Sequence, residues 1–328
     1  MSTAVEVLDP YYLGITILIT LGYQLIGFLI SITLKTEKFF DWFGGTNFEW
    51  LALITLLFHK TYYVRQIVIS TMVMVWGVRL STFLFYRIMS LGGEDWRFDD
   101  VRNTVSKQMV FWLGQVVWVW TVSLPFILLN SSYNNPSLNA ADAVSWSLWG
   151  TGFVFEVVAD QTKLWFKNKM KELEEEKKDT LLPSSLPSSE NAYCTINVNQ
   201  KWCHVGVWKY SRHPNYFGEI LMWIGIFIGC APSFHGDSNE WKYFSIVSPI
   251  FITVLILFVS GIPMLEQASN KRYGAMEDYQ MYKMQTSNII PFPPSLFRKI
   301  PLPIKRIFFF EWPIYEAKPN GDAGQEPT

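Results

Sequence analysis

The chain has 328 residues, of which 50% are hydrophobic, with 15 Trp, 25 Phe and a formal net charge of −1. This apolar and aromatic content is typical of an integral membrane protein and exceeds that of a soluble domain. The charge gives no basis for a nucleic-acid partner. Three scattered cysteines do not form a disulfide framework or a zinc motif, so no metal is predicted.

Apolar stretches recur along the chain, and we predict an all-α, multi-pass bundle of about seven transmembrane helices. The predicted spans are Tyr11–Leu34, Asn47–His59, Gln66–Ile88, Gln108–Leu129, Ala143–Phe166, Tyr216–Ala231 and Tyr243–Pro263. The second span is short, and its flanking Glu49 is equally compatible with a re-entrant or tilted segment that lines a cavity. Residues 1–295 are predicted to form one membrane domain, interrupted by a flexible cytosolic loop at 168–204.

The loop charges predict the orientation of these helices in the membrane. Residues 131–142 and 235–241 contain no Lys or Arg, whereas residues 166–212 and 264–328 contain many. Because basic loops stay in the cytosol, the C-terminus is predicted to be cytosolic.

Two segments outside the spans have distinctive compositions. Lys167–Asp179 is predicted to be a charged helical extension, followed by a flexible loop at Thr180–Glu190. Residues 296–328 are predicted to form a tail that lies along the cytosolic membrane surface and ends in a disordered segment, Lys318–Thr328.

The segment Trp208–Glu219 places polar groups at the mouth of an apolar helix. Arg212 and His213 can bind phosphate or carboxylate, and Asn215 and Glu219 share one helical face because they are four residues apart. An unpaired carboxylate one turn inside apolar surroundings costs free energy. We therefore predict that a ligand or a partner helix satisfies Glu219.

A second polar stripe lies on the fifth predicted span. Its residues recur at helical spacing: Glu156, Asp160, Lys163 and Lys167. This stripe and the Asn215 stripe are compatible with a structural ion-pair network between helices. They are also compatible with a cytosol-facing site for an anionic, nucleotide-like ligand, with Lys271 and Arg272 closing a cationic rim.

Four sequence blocks, in this order, resemble the steroid 5-alpha-reductase-like membrane proteins. The blocks are Gly93–Asp99, Phe155–Asp160, Trp208–Glu219 and the Tyr-x-x-x-Thr-Ser-x-x-Ile-Pro pattern that begins at Tyr282. The resemblance covers most of Gly77–Pro294 and is closest to the less characterised branch of that family. Arg-His-Pro alone is less specific, because isoprenylcysteine and phospholipid methyltransferases of the same wider superfamily share it.

The resemblance implies a seven-helix protein of the endoplasmic-reticulum membrane that binds NADPH from the cytosol. It implies reduction of a carbon–carbon double bond conjugated to a carbonyl in a steroid or other lipid-like substrate. Asn215 and Glu219 match the family's Asn-x-x-Gly-Glu cofactor and active-site motif, and Asp160 matches its aspartate. Glu156 stands where characterised reductases have an amide, and Lys167 where they have an arginine.

The resemblance also implies a tyrosine, backed by a glutamate, that polarises the substrate carbonyl. Tyr86 is the first candidate for this tyrosine and Tyr216 the second, with Glu49 as the candidate glutamate. Lys271 and Arg272 correspond to basic residues in the late helix of the reductases.

Two other functions remain open. One is an S-adenosylmethionine-dependent methyltransferase, in which Arg212, His213 and Glu219 surround the carboxylate and amine of the cofactor. The other is a lipid-binding membrane protein without catalytic turnover.

Overall fold

The structure, a computed structural model, describes residues 8–90, 101, 104–179, 201–236 and 240–316. The predicted loop Thr180–Glu190, the Gly93–Asp99 block and the Lys318–Thr328 segment lie outside these residues. The described helices are α1 (Leu13–Leu34), α2 (Phe40–His59), α3 (Val64–Ser90), α4 (Val105–Asn130), α5 (Ala140–Asp179), α6 (Pro214–Cys230), α7 (Val247–Val254), α8 (Ile262–Tyr273), α9 (Glu277–Gln285), α10 (Pro294–Phe297) and α11 (Leu302–Phe308).

The helical membrane fold predicted from the sequence is confirmed. Among the described residues, five helical segments are long and apolar enough to cross a bilayer: α1, α3, α4, Pro214–Phe234 and Glu240–Tyr273. The other two predicted spans are also helical and correspond to α2 and α5. Polar residues within them lower their mean hydropathy, so the number seven stays a prediction.

Helix α2 is longer than the sequence suggests, since it begins at Phe40 and not at Asn47. Gly44 and Gly45 weaken the helical signal of this segment, because glycine costs about 1 kcal/mol in a helix interior. Both glycines allow close packing: a Cβ on Gly44 would clash with Gln115, and one on Gly45 with Ser81. Tertiary packing therefore overrides the local preference.

The chain divides into two compact units. The first unit contains Met1–Thr151 and Ile220–Thr253, and the second contains Gly152–Glu219 and Val254–Thr328. Each unit thus combines two separate stretches of the chain. The predicted division into residues 1–295 and 296–328 stays a prediction.

A buried ion pair joins two helix starts in the first unit. The Arg65 guanidinium donates to both carboxylate oxygens of Asp142, at 2.7 Å from Nε and 2.8 Å from Nη2. Asp142 also accepts the backbone N–H of Asn139 at 2.8 Å. Since both side chains are buried, each charge depends on the other for compensation.

We expect Asp142→Ala to lower the free energy of unfolding by about 3–5 kcal/mol, because it leaves a buried guanidinium without its carboxylate. Chemical denaturation in detergent micelles measures this loss. Arg87→Ala is the control, since Arg87 lies 3.9 Å from Asp41 in a partly exposed pair and should contribute about 1 kcal/mol or less. Equal losses in the two variants would contradict the role of the Asp142 pair.

Candidate functional site

The second unit brings the N-terminal turn of α6 into contact with α5. A Cβ added to Gly218 would clash with the carbonyl oxygen of Gly152 and lie 2.9 Å from the backbone nitrogen of Glu156. Beside this contact, the rings of Phe155 and Phe217 pack edge to face with centroids 5.4 Å apart. Glycine at this position therefore permits backbone-to-backbone packing of the two helices.

This contact places the two predicted polar stripes against each other. The Asn215 amide donates to the Asp160 carboxylate, with 3.3 Å between Nδ2 and Oδ1. Glu156 and Asp160 are buried, whereas Glu219, one residue after the glycine, is partly buried. The Asn215 side-chain oxygen is buried and has no hydrogen-bond partner among the described residues.

The cations of the α5 stripe occupy different environments. The Lys163 ammonium lies over the Trp208 ring, 4.3 Å from its centroid. The Trp208 indole N–H donates to the Ala159 carbonyl at 2.8 Å, which fixes the ring against α5. Lys167, one helical turn further along, is exposed.

Arg212 is enclosed by acceptors from its own chain. Its guanidinium lies 3.2 Å from Glu266 and 2.9 Å from Glu311, and it donates to the Lys283 carbonyl at 3.1 Å. Burial opposes the charge, but the two carboxylates outweigh it and raise the pKa of Arg212 above its ordinary value. These contacts give Arg212 a structural role, and its predicted role in binding a cofactor stays a prediction.

Glu266 is the residue that the sequence analysis did not single out. Its carboxylate contacts Arg212, accepts a hydrogen bond from His213 Nε2 at 3.0 Å, and lies 2.8 Å from the Lys283 ammonium. The one available signal was an acidic residue directly after the last apolar span. Its partners are far away in the sequence, so spacing alone could not identify it.

His213 presents an acceptor that nothing described occupies. Burial lowers its pKa, Arg212 and Lys163 lower it further, and the Glu266 carboxylate opposes the shift. The ring is therefore neutral near pH 7. Its Nε2–H donates to the Glu266 carboxylate, and its Nδ1 carries a lone pair that can accept a hydrogen bond. Nδ1 is buried without a hydrogen-bond partner in the described part of the chain, and the ring stacks on Tyr216 with centroids 5.9 Å apart.

An aromatic cluster supports the turn that precedes α6. The Tyr282 hydroxyl donates to the Trp208 carbonyl at 2.8 Å, and burial raises the pKa of this hydroxyl. Trp202 packs against Tyr279 and Tyr282, with centroids 5.1 and 6.1 Å apart. These contacts hold the Trp208 turn against α9.

The predicted cationic rim at the end of α8 is solvent-exposed. Lys271 and Arg272 are both exposed in the last turn of that helix, where they complement its dipole. The Arg272 guanidinium lies 6.0 Å from the centroid of the Tyr273 ring. Closure of a rim by these two residues stays a prediction.

The remaining predicted donor groups lie in the first unit. Tyr86 is on α3 with its side chain 56% exposed. Glu49 on α2 accepts a long hydrogen bond of 3.5 Å from the Ser81 hydroxyl on α3. The catalytic roles assigned to Tyr86 and Glu49 stay predictions.

No group of three or more His, Cys, Asp or Glu residues within the described ranges is arranged to hold a metal ion. Cys203 and Cys230 are both buried. Cys194 lies outside the described residues.

Comparison with known proteins found sequences that are similar to this chain. A family profile described as "Protein of unknown function (DUF1295)" matches residues 27–286, well over half of the chain. An uncharacterised protein of Schizosaccharomyces pombe is 22% identical over 284 residues, which cover 83% of this chain and 78% of the yeast protein. No solved structure matches the chain.

We expect the second unit to lose stability as the pH falls below the ordinary histidine pKa of 6.5. The folded-state pKa of His213 lies below 6.5. The contribution of His213 to stability is therefore complete above pH 6.5 and is lost as the pH falls from 6.5 through the folded-state pKa. Denaturation midpoints measured from about pH 8 to about pH 5 test this expectation. His213→Gln keeps a donor for Glu266 but should flatten the dependence, whereas His235→Gln, at an exposed position, should leave it unchanged. An unchanged slope in His213→Gln would contradict the assignment.

Proposed function

The chain belongs to the DUF1295 family, which is steroid 5-alpha-reductase-like, and we propose that it is an NADPH-dependent membrane reductase. The observation that carries the proposal is the contact of Asn215 with Asp160 beside the buried Glu156. These residues come from two separate blocks that resemble the reductases. Their contact within one unit supports a shared site.

The available polar atoms suit the amide end of a dinucleotide. Asn215 Oδ1 and His213 Nδ1 are buried acceptors without hydrogen-bond partners among the described residues. An amide N–H or an amino group of a ligand could satisfy either atom. Arg212 is less suited to a phosphate, because Glu266 and Glu311 already compensate its charge. We therefore assign the phosphate end to Lys163 and Lys167.

The proposed reaction reduces a carbon–carbon double bond conjugated to a carbonyl in a steroid or another lipid. NADPH supplies the hydride that adds to the β-carbon, and a proton adds to the α-carbon, which leaves NADP⁺ and the saturated ketone. Asp160 orients the Asn215 amide, and a tyrosine hydroxyl donates to the carbonyl oxygen as negative charge develops there. The apolar helices would keep water from the reacting atoms and admit substrate from the bilayer.

The candidate tyrosines differ in their surroundings. Tyr216 follows Asn215 directly on α6 and stacks on His213, whereas the Tyr86 side chain is largely exposed. We favour Tyr216 as the hydroxyl donor. The proposed location is the endoplasmic-reticulum membrane with the C-terminus in the cytosol.

We expect purified protein to bind NADPH and Asn215→Leu to weaken that binding about tenfold, through loss of a buried polar contact. Glu219→Gln should also weaken binding. Isothermal titration calorimetry measures both effects, and Gln161→Leu, at an exposed position on α5, should bind like the unmodified protein.

The same titration with S-adenosylmethionine separates the rival functions. Binding of S-adenosylmethionine without NADPH would favour the methyltransferase. Binding of neither cofactor would favour a lipid-binding protein without turnover.

We expect Tyr216→Phe to lower kcat for NADPH oxidation about 100-fold with a lipid enone, because it removes the donor to the developing oxyanion. NADPH affinity should stay unchanged, which distinguishes loss of chemistry from loss of binding. Tyr86→Phe is the matched variant. Loss of turnover in Tyr86→Phe alone would transfer the donor role to Tyr86.

A further inference from the structure

The last described segment of the second unit exposes an unusual amount of apolar surface. We call residues 294–316, which contain α10 and α11, the C-terminal collar. Six of its large apolar side chains are between 44% and 67% exposed: Leu296, Leu302, Ile304, Ile307, Phe308 and Ile314. Several exposed large apolar side chains within one short segment indicate a surface for a partner or a membrane.

The charges of the collar have one sign over most of its length. Residues 279–310 contain no Asp or Glu, and the collar carries Arg298, Lys299, Lys305 and Arg306. Arg298 and Lys299 are exposed between the two short helices. Basic residues interleaved with exposed apolar residues are typical of segments that lie in the interface of an anionic bilayer.

Contacts with the last candidate span bring the collar beside apolar surface. The Trp312 ring stacks on Phe258 with centroids 4.9 Å apart, and the Tyr315 hydroxyl donates to the Leu257 carbonyl. Phe258 and its neighbour Val259 are themselves largely exposed on that segment. The collar therefore packs beside exposed apolar side chains of a segment that is long and apolar enough to span a membrane.

A cleft of about 220 Å³ lies behind the collar, but its charges are satisfied internally. Arg212 pairs with Glu311, Lys283 pairs with Glu266, and Lys305 donates to the Met284 carbonyl. An anion in the cleft would compete with these contacts. The exposed cations Arg298 and Lys299 on the outer face require no such rearrangement.

We propose that the C-terminal collar docks on the bilayer surface by binding anionic phospholipid headgroups with Arg298 and Lys299 while its apolar side chains enter the interface. The phosphates accept from the two cations, and Ile307 and Phe308 lie below the headgroups. This proposal does not depend on the reductase function.

The test places an environment-sensitive fluorophore on the collar of the full chain. Ile307→Cys is introduced into a chain whose three native cysteines are replaced by serine, labelled, and reconstituted into nanodiscs of phosphatidylcholine alone or with phosphatidylserine. Met281→Cys is the matched control. Met281 is similarly exposed, but it lies outside the collar, on α9, whose first turn carries the acidic residues Glu277 and Asp278.

We expect blue-shifted emission at position 307 in the anionic discs, with quenching by lipids brominated close to the headgroup, and neither effect at position 281. Arg298→Gln with Lys299→Gln should lower the ratio of docked to undocked collar about fivefold for each cation removed. Lys201→Gln with Lys209→Gln removes the same charge from exposed positions of the same unit and should leave that ratio unchanged.

Three results would overturn the proposal. The first is a water-like emission at position 307 in both kinds of disc. The second is equal docking in neutral and anionic discs. The third is protection of position 307 only in discs that hold two chains, which would identify a second copy of the chain as the occupant.

Discussion

The second unit depends on the contacts that the Glu266 carboxylate makes with three basic side chains. The carboxylate lies within 3.2 Å of Arg212, His213 and Lys283, so one buried anion holds together α8, α9 and the turn that begins α6. Removing one member of such a cluster exposes the others to an uncompensated desolvation cost. The position of Asn215, two residues after His213, follows from this arrangement. The candidate site thus lies in the same unit as this electrostatic anchor.

The sequence predicted the parts of the fold that depend on local pattern. Helical spacing predicted that Glu156 and Asp160 share a stripe, and the contact between Asn215 and Asp160 places the two stripes together. The start of α2 was predicted wrongly, because Gly44 and Gly45 are helix-weakening residues whose packing partners lie on other helices. Helix propensity depends on the local sequence, whereas the packing contacts that compensate for the two glycines come from other helices.

The partners of Arg212 could not be read from spacing. Arg212 and Glu311 are 99 residues apart, and nothing in the Arg-His-Pro run distinguishes a ligand-binding arginine from one paired within the protein. Charge type predicted a phosphate or carboxylate partner, and in the structure two carboxylates, Glu266 and Glu311, contact Arg212. Whether that partner is a phosphate or a carboxylate depends on contacts between distant parts of the chain. Because Glu266 and Glu311 already compensate the Arg212 guanidinium, this residue is less suited to bind a phosphate.

The second unit is assembled from two stretches of chain, and this has a consequence for its biogenesis. Arg212 leaves the ribosome long before Glu266, and Glu266 before Glu311, so the guanidinium must wait for both of its compensating carboxylates. Until residue 311 has been synthesised, the turn that begins α6 lacks its complete anchor, although the helices of the first unit are already available for insertion. A nascent chain that ends before residue 311 would therefore carry an incompletely neutralised Arg212 guanidinium.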